Sequence, residues 1–250
     1  MNEQVYIKLK QAKLNRQKLF AVLVDPDRVS PESLICLIEM SSKAHVDFFF
    51  IGSSLLVNDT INECIDVIKS CCDIPAVIFP GSSMQIYAQA DAVLLLSLIS
   101  GRNADLLIGQ HVIAAPSLKA SGLEIVSTGY ILIDGGNATT VSYISNTIPI
   151  PNDKDEVAMC TAMAGEMLGL NVIYLDAGSG ALHCVSESMV EMVSASIEVP
   201  LLVGGGIQCP EKAASLCKAG ADIIVVGNAV EKDPLLLFSI SRAVHAAVII

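Results

Sequence analysis

The chain has no tryptophan, and aromatic residues fill only 4% of its 250 positions. Charge is also scarce, at 16% of residues, and basic charge most of all: 15 Lys and Arg stand against 26 Asp and Glu, for a net charge of −11. That balance excludes a nucleic-acid-binding face and broad attraction to anionic lipid. An anionic ligand would have to be held by local backbone donors or a metal. The eight cysteines form no C-x-x-C pair, and the neighbours Cys71 and Cys72 suit neither a metal site nor a mutual disulfide. Reduced thiols in a cytoplasmic protein are the expectation. The four histidines, His45, His111, His183 and His245, lie far apart without metal-ligand spacing. The lysine-rich stretch from Lys8 to Lys18 lacks the apolar core of a secretory signal. No apolar run reaches the length of a membrane span.

What the chain does have is apolar surface, 52% of residues, ample for one large core. Its length is usual for one (β/α)8 barrel, and no linker divides it. A single domain over residues 1–250 is expected.

The stretch from Tyr174 to Asn228 sets the architecture. It reads YLDAGSGA, then LLVGGGI, then IIVVGN. Each piece is a short apolar run ending in a glycine turn, and helical segments lie between them. Repeated strand–loop–helix units imply parallel strands whose loops open on one edge. The last two turns, Gly204-Gly205-Gly206 and Gly227-Asn228, fall where a barrel of this kind usually holds a phosphate on backbone N–H groups. The plainer alternative is that these glycines only make tight turns.

The rest of the chain fits the same scheme. Residues 1–18 predict an amphipathic helix capping the barrel bottom. Leu19–Val24 is the first strand, ending at Asp25-Pro26-Asp27, and Ser30-Pro31 starts a helix that continues through Lys43. Phe48–Ile51 is strand two, with Gly52-Ser53-Ser54 as its loop. A helix follows over 60–69, then strand three over 76–79. The third crossover, 82–90, is short and polar, a weak helix. Strand four spans 92–96, a helix 103–112, and strand five lies within 124–133. Residues 134–152 form the longest loop, covering the mouth or its rim. Asp153-x-x-Glu156 reads as a cap for a helix running to Leu168. Strands six to eight fall at 172–175, 201–203 and 223–226, with helices over 186–196, 210–219 and 235–247. The apolar stretch Leu235–Ile250 at this last helix is suited to burial in a homo-oligomer.

In a barrel, polar residues at the C-terminal strand ends carry function. Here these are Asp25, Ser53, Ser54, Arg102, Asn103, Asp134, Asp176, Ser179 and the glycine loops. Asp25 could hold Mg2+ with water and substrate oxygens, or be a turn aspartate. Ser54 reads more readily as a turn residue than as a ligand. Asp176 could act as a general base or accept a substrate hydroxyl, or bond its own backbone. Tyr174 could be core.

Several of these stretches taken together carry a resemblance: Val24-Asp25-Pro26-Asp27, Ile51-Gly52-Ser53-Ser54, Phe79-Pro80-Gly81, the run from Ser97 to Asn103, Thr128-Gly129-Tyr130-Ile131, YLDAGSGA, 203–207 and Gly227-Asn228. In order and over nearly the whole chain, they resemble the geranylgeranylglyceryl phosphate synthase family. YLxAGSGA and SLxxxRN are its specific pieces. The resemblance implies a (β/α)8 TIM-type barrel modified at the third helix. It also implies Mg2+-dependent transfer of a prenyl group from its diphosphate to the hydroxyl of sn-glycerol 1-phosphate. By position, Asp25 and Ser54 would bind the metal. Tyr174, Leu175, Asp176, Ala177, Gly178, Ser179, Gly180, Gly204, Gly205, Gly206, Gly227 and Asn228 would hold glycerol phosphate, with Asp176 as the catalytic residue. Two departures stand out: the family usually has Gly-Gly-Ser at Gly52-Ser53-Ser54, and glutamate at Asp176. A homo-oligomer is expected, as is peripheral membrane contact at product release. The competing readings are a phosphosugar isomerase or lyase using Asp25 and Asp134, and a barrel that only binds phosphate ligands.

Overall fold

β-branched, leucine and aromatic runs form eight parallel strands: β1 (Leu19–Val24), β2 (Phe48–Ile51), β3 (Ala76–Ile78), β4 (Ala92–Leu98), β5 (Glu124–Leu132), β6 (Val172–Asp176), β7 (Leu201–Gly204) and β8 (Ile223–Val226). In this computed structural model, which describes residues 4–58, 60–83 and 85–247, they close into a barrel in chain order, β8 pairing back onto β1 through Leu19↔Ile223. Alternation along each strand sorts side chains between two cores. Ala21, Phe48, Phe50, Tyr130, Tyr174 and Val225 pack inside the barrel. Phe20, Val22, Phe49, Ile131, Leu175 and Val226 pack under the helices.

The helices are α1 (Gln4–Leu14), α2 (Pro31–Lys43), α3 (Ile61–Cys71), α4 (Gln110–Ser121), α5 (Thr140–Ser145), α6 (Asp155–Met167), α7 (Glu187–Ser194), α8 (Pro210–Lys218), α9 (Asn228–Lys232) and α10 (Leu236–His245). α1 does cap the bottom: Val5, Leu9 and Ala12 join the inner core, and the Glu124 carboxylate accepts from the Val5 and Tyr6 N–H groups at 2.8 and 2.6 Å. Ser30 caps α2 by accepting from the Ser33 N–H, with Pro31 as the first helical residue.

Among the described residues, no helix connects β3 to β4. That segment is instead tied down by side chains: the Tyr87 hydroxyl donates to Asp66 at 2.8 and 2.9 Å. Four sequence expectations need correction. The helix expected over 103–112 begins as a π-helical turn (Asp105–Gly109) and runs on to Ser121 through Pro116. Pro116 is exposed, so the carbonyl it leaves unbonded can turn to water. The 134–152 loop contains α5, started by a reciprocal Thr139–Ser142 cap. Asp153 does not cap α6; the cap position is Lys154, whose side chain makes no capping bond, while Asp155 and Glu156 occupy the first turn, where the helix dipole favours acids. The apolar face of α10 is buried within the chain through Leu237, Ile240 and Val244, so it is not the exposed face expected for an oligomer. Residues 248–250 of that expectation lie outside the described residues. Exposed apolar side chains gather instead on α4 and around α5: Val112, Ile113, Tyr143 and Ile148 are each more than 60% exposed.

Candidate active site

The C-terminal ends of the strands surround a cavity of about 420 Å³. Asp25, Ser53 and Ser54 line it from β1 and β2, and Tyr174, Asp176, Gly178, Ser179 and Gly180 from β6 and its loop. Gly205, Gly206, Gly227 and Asn228 complete the wall. The sequence candidates from separate loops thus meet in one place. Leu175, Ala177 and Gly204 do not line it. Leu175 and Ala177 lie in the core beneath the helices, which follows from the two-residue period of β6. Gly204 ends β7 with its Cα close against Tyr174; a Cβ there would stand 2.5 Å from the phenol oxygen. These three can serve a ligand only through backbone atoms.

The loops are fitted to one another. Gly205 has φ +81°, and a Cβ there would lie 2.6–2.7 Å from the Gly178 and Ala177 nitrogens and an Asp176 carboxylate oxygen. Only glycine satisfies both the backbone angle and the close approach. The Ser179 hydroxyl donates to Asn228 Oδ1 at 3.0 Å, linking the β6 and β8 loops. Tight turns and close packing therefore explain the glycines in part. They do not account for the donors. The N–H groups of Ser179, Gly180, Gly205, Gly206 and Asn228 have no hydrogen-bond partner among the described residues. Backbone donors are rarely left unpaired in a folded protein, so such a ring must be served by water or by an anion.

Asp176 is 7% exposed. Its Oδ2 accepts from the Tyr130 hydroxyl at 2.5 Å and its Oδ1 from the Gly178 N–H at 2.8 Å. The carboxylate thus bonds its own loop, one of the alternatives open in the sequence, and also lines the cavity. Burial raises its pKa, against the opposing pull of the Tyr130 and Gly178 hydrogen bonds. The phenols of Tyr130 and Tyr174 are held far above the usual tyrosine value by burial and by the Asp176 charge, so Tyr130 remains the donor. Tyr130, Tyr174 and Phe79 form an aromatic floor with ring centroids 5.5–6.0 Å apart. In the sequence Tyr130 belongs to a motif but has no evident role. Its register, directly opposite Tyr174, is the signal that could have placed it.

Asp25 accepts from the Asp27 N–H at 3.1 Å and pairs with Arg28 Nε at 3.2 Å. Arg28 also stands 3.7 Å from Glu231 on α9. Burial raises the Glu231 pKa; Arg28 opposes this and Asp25 adds to it. Neither Arg28 nor Glu231 stands out in the sequence, because nothing in their spacing links β1 to α9. Asp27 serves the structure: its carboxylate accepts from the Val57 and Asn58 N–H groups and pins the β2 loop. Ser53 and Ser54 both line the cavity, and their hydroxyls make no hydrogen bond among the described residues. Asp25 and these serines carry oxygen donors, the ligand type that suits Mg2+, which keeps several of its waters. Among the described residues, no group of three or more His, Cys, Asp or Glu forms a closed metal cage.

Other candidates fall away. Asp134 is exposed, accepts from the Gly136 N–H at 2.9 Å and does not line the cavity, so it cannot pair with Asp25 in acid–base work. Arg102 donates to the Gly101 carbonyl at 2.7 Å, and Asn103 joins the carbonyl of Ser145 to the N–H of Asp105. The SLxxxRN piece thus fastens the loop carrying α5.

A second, apolar cavity lies beside the β3–β4 connection, where the third helix is missing. Leu95, Leu96, Leu98, Leu106, Ala114 and Ile144 line it. Ser53, Ser54, Phe79, Tyr130 and Val141 line both cavities, so the two adjoin between the ends of β2 and β3 and the β5–α5 side of the mouth.

Among the described residues, no helix is long and apolar enough to cross a membrane. Residues 12–247 match the model of the PcrB family. A geranylgeranylglyceryl phosphate synthase of Chitinophaga pinensis is 55% identical over 99% of this chain and 98% of its own. One of Thermococcus kodakarensis is 40% identical over 88% and 87%. The crystal structure of (S)-3-O-geranylgeranylglyceryl phosphate synthase from Thermoplasma acidophilum, in complex with sn-glycerol-1-phosphate, superposes with a TM-score of 0.91. It is 31% identical and covers 96% of this chain and 98% of its own. Matched along almost its full length, the chain belongs to the PcrB family, together with these geranylgeranylglyceryl phosphate synthases.

Proposed function

We propose that the protein transfers a prenyl group, the geranylgeranyl group by the name of its relatives, from its diphosphate to the hydroxyl of sn-glycerol 1-phosphate. The observation that carries this is the ring of unpartnered N–H groups beside a buried carboxylate. The N–H groups of the β6, β7 and β8 loops take the acceptor phosphate, as bare backbone donors do for anions. With the phosphate fixed, the glycerol hydroxyls extend toward Asp176, which keeps lone pairs beyond those used by Tyr130 and Gly178. The apolar side cavity takes the prenyl tail and leads its reactive end to the mouth. Fixing both partners there converts an encounter into a positioned reaction.

Asp25 and the hydroxyls of Ser53 and Ser54 would hold Mg2+, which when bound neutralises charge on the leaving diphosphate. The carbon–oxygen bond to diphosphate breaks, the glycerol oxygen bonds to the allylic carbon, and the hydroxyl proton passes to Asp176. Its raised pKa lets it accept that proton more readily than an ordinary carboxylate.

The test is an assay of the purified protein with Mg2+, prenyl diphosphates of several lengths, and each enantiomer of glycerol phosphate, read by product mass. The 1-phosphate should be preferred by about tenfold or more, since a fixed phosphate leaves the mirror image unable to place its hydroxyls on Asp176. Equal kcat/KM for the two enantiomers would overturn this placement.

A further inference from the structure

The mouth is poor in positive charge. Asp25, Asp176, Glu231 and Asp233 line it, against Arg28 and Lys232 as its cations. A prenyl diphosphate would bring several more negative charges into this acidic cavity. Arg28 is placed to meet them. It sits on the turn after β1, three residues from Asp25, and its side chain is 56% exposed. Only its Nε is held closely, at 3.2 Å from Asp25; the Nη1 contact with Glu231 is 3.7 Å, longer than a hydrogen bond. The Nη groups thus have no hydrogen-bond partner among the described residues. A guanidinium with its outer edge uncommitted matches the paired oxygens of a phosphate.

Resting on the reaction proposed above, we propose that Arg28 is the residue that grips the diphosphate of the prenyl donor, and that it waits between Asp25 and Glu231 until the donor arrives. Asp25 orients Arg28 through Nε and leaves its fork facing the cavity. Glu231 holds the other end weakly and competes with the donor for it. Lys232, on the exposed side of α9, has no comparable orienting contact among the described residues.

The probe is inorganic pyrophosphate, titrated by calorimetry at fixed Mg2+ into the parent and into Arg28→Gln, Arg28→Lys, Glu231→Gln and Lys232→Gln. Binding of sn-glycerol 1-phosphate and thermal unfolding are measured beside it. Arg28→Gln should weaken pyrophosphate binding about tenfold or more, as expected for lost hydrogen bonds to a charged group, and raise KM for the prenyl diphosphate in proportion. Glycerol phosphate affinity should stay within about twofold. Arg28→Lys should restore part of the loss, keeping the charge without the fork. Glu231→Gln should tighten pyrophosphate binding by releasing its competitor. The proposal is overturned if the parent does not bind pyrophosphate, or if Lys232→Gln costs more than Arg28→Gln. An equal loss of both ligands in Arg28→Gln also overturns it, because Arg28 would then merely hold the β1 turn in shape. A parent that binds pyrophosphate through Arg28 yet transfers no prenyl group would overturn the reaction and leave the Arg28 assignment standing.

Discussion

The two ends of the barrel use polar residues in opposite ways. At the bottom, each buried carboxylate is matched. Asp222 accepts from Lys13, Lys18 and the Leu201 N–H. Glu124 accepts from two N–H groups of α1. Burial alone would raise the Asp47 pKa, but His245, the Phe20 N–H and Lys8 together hold it below the usual value. At the mouth, loop N–H groups and two serine hydroxyls are left without partners among the described residues, and Arg28 is only half held. The same strands supply both ends. Matched charge at the bottom holds the fold, while the donors at the top stay unmatched within the chain, where this architecture usually carries its function.

The largest expected effect breaks the bottom. Asp222→Ala leaves Lys18, whose side chain is 1% exposed, without its counter-charge and the Leu201 N–H without an acceptor. Removing one member of a buried pair costs about 3–5 kcal/mol. Urea unfolding should show that loss, while turnover per folded molecule stays near the parent's. An unfolding midpoint close to the parent's would remove Asp222 from its role as the anchor.

The reciprocal change is made at the mouth. Asp25→Ala should reduce turnover by at least about a hundredfold, since metal-assisted charge stabilisation is worth several kcal/mol. Stability should move by less than about 1 kcal/mol, because the lost partner Arg28 is more than half exposed. Glycerol phosphate binding, followed by calorimetry, should persist, as its donors lie on the β6 to β8 loops. Near-parent turnover would remove Asp25 from the metal role.

A smaller effect separates the two functions within the mouth. Asp176→Ala should lower kcat/KM by about tenfold or more, roughly one charged hydrogen bond. Asp176→Glu should stay within several-fold of the parent. It restores the acceptor, but in a space where the Asp176 carboxylate already packs against the Gly205 backbone. If alanine is as active as aspartate, the hydroxyl acceptor lies elsewhere.

The strands, their order and the loops that face the ligand were legible because each is a local pattern: an apolar run of fixed period closed by a glycine or acidic turn. The missing third helix was legible for the same reason, as a stretch too short and polar to make one. Pro116 hid the second half of α4, since a proline that ends most helices is tolerated on an exposed face. At the site, Asp25, Asp176 and the glycine loops could be read, because each ends or directly follows a strand. The Arg28–Glu231 link and the Tyr130–Asp176 bond could not, because each joins residues far apart in the chain through barrel closure or strand register, neither of which leaves a local trace. Leu175, Ala177 and Gly204 read as binding residues with their motif, although strand alternation places the first two under the helices.

The finest test of the contrast between the ends is the pH dependence of stability at Asp176. Its carboxyl is raised above the ordinary aspartate value in the folded protein, chiefly by burial. A carboxyl with a raised folded pKa binds more protons folded than unfolded between the two values. Stability from this group is therefore greatest below the ordinary value and is lost as pH rises through the window up to the raised folded value. Above that window the folded protein carries a buried charge whose hydrogen bonds from Tyr130 and Gly178 only partly offset its desolvation. Asp176→Asn removes the charge and keeps groups able to pair with both neighbours. The variant should unfold at a higher urea concentration than the parent at neutral pH, and that difference should shrink toward zero as pH falls below the window. Every other titrating group is common to both proteins and cancels in the difference. The same variant should be less active, since an amide cannot take the hydroxyl proton. A difference that instead grows in favour of the variant toward acid would mean that the folded carboxylate is stabilised as the anion. Asp176 would then belong with the matched carboxylates at the bottom of the barrel, and its fitness to accept a proton at the mouth would be lost.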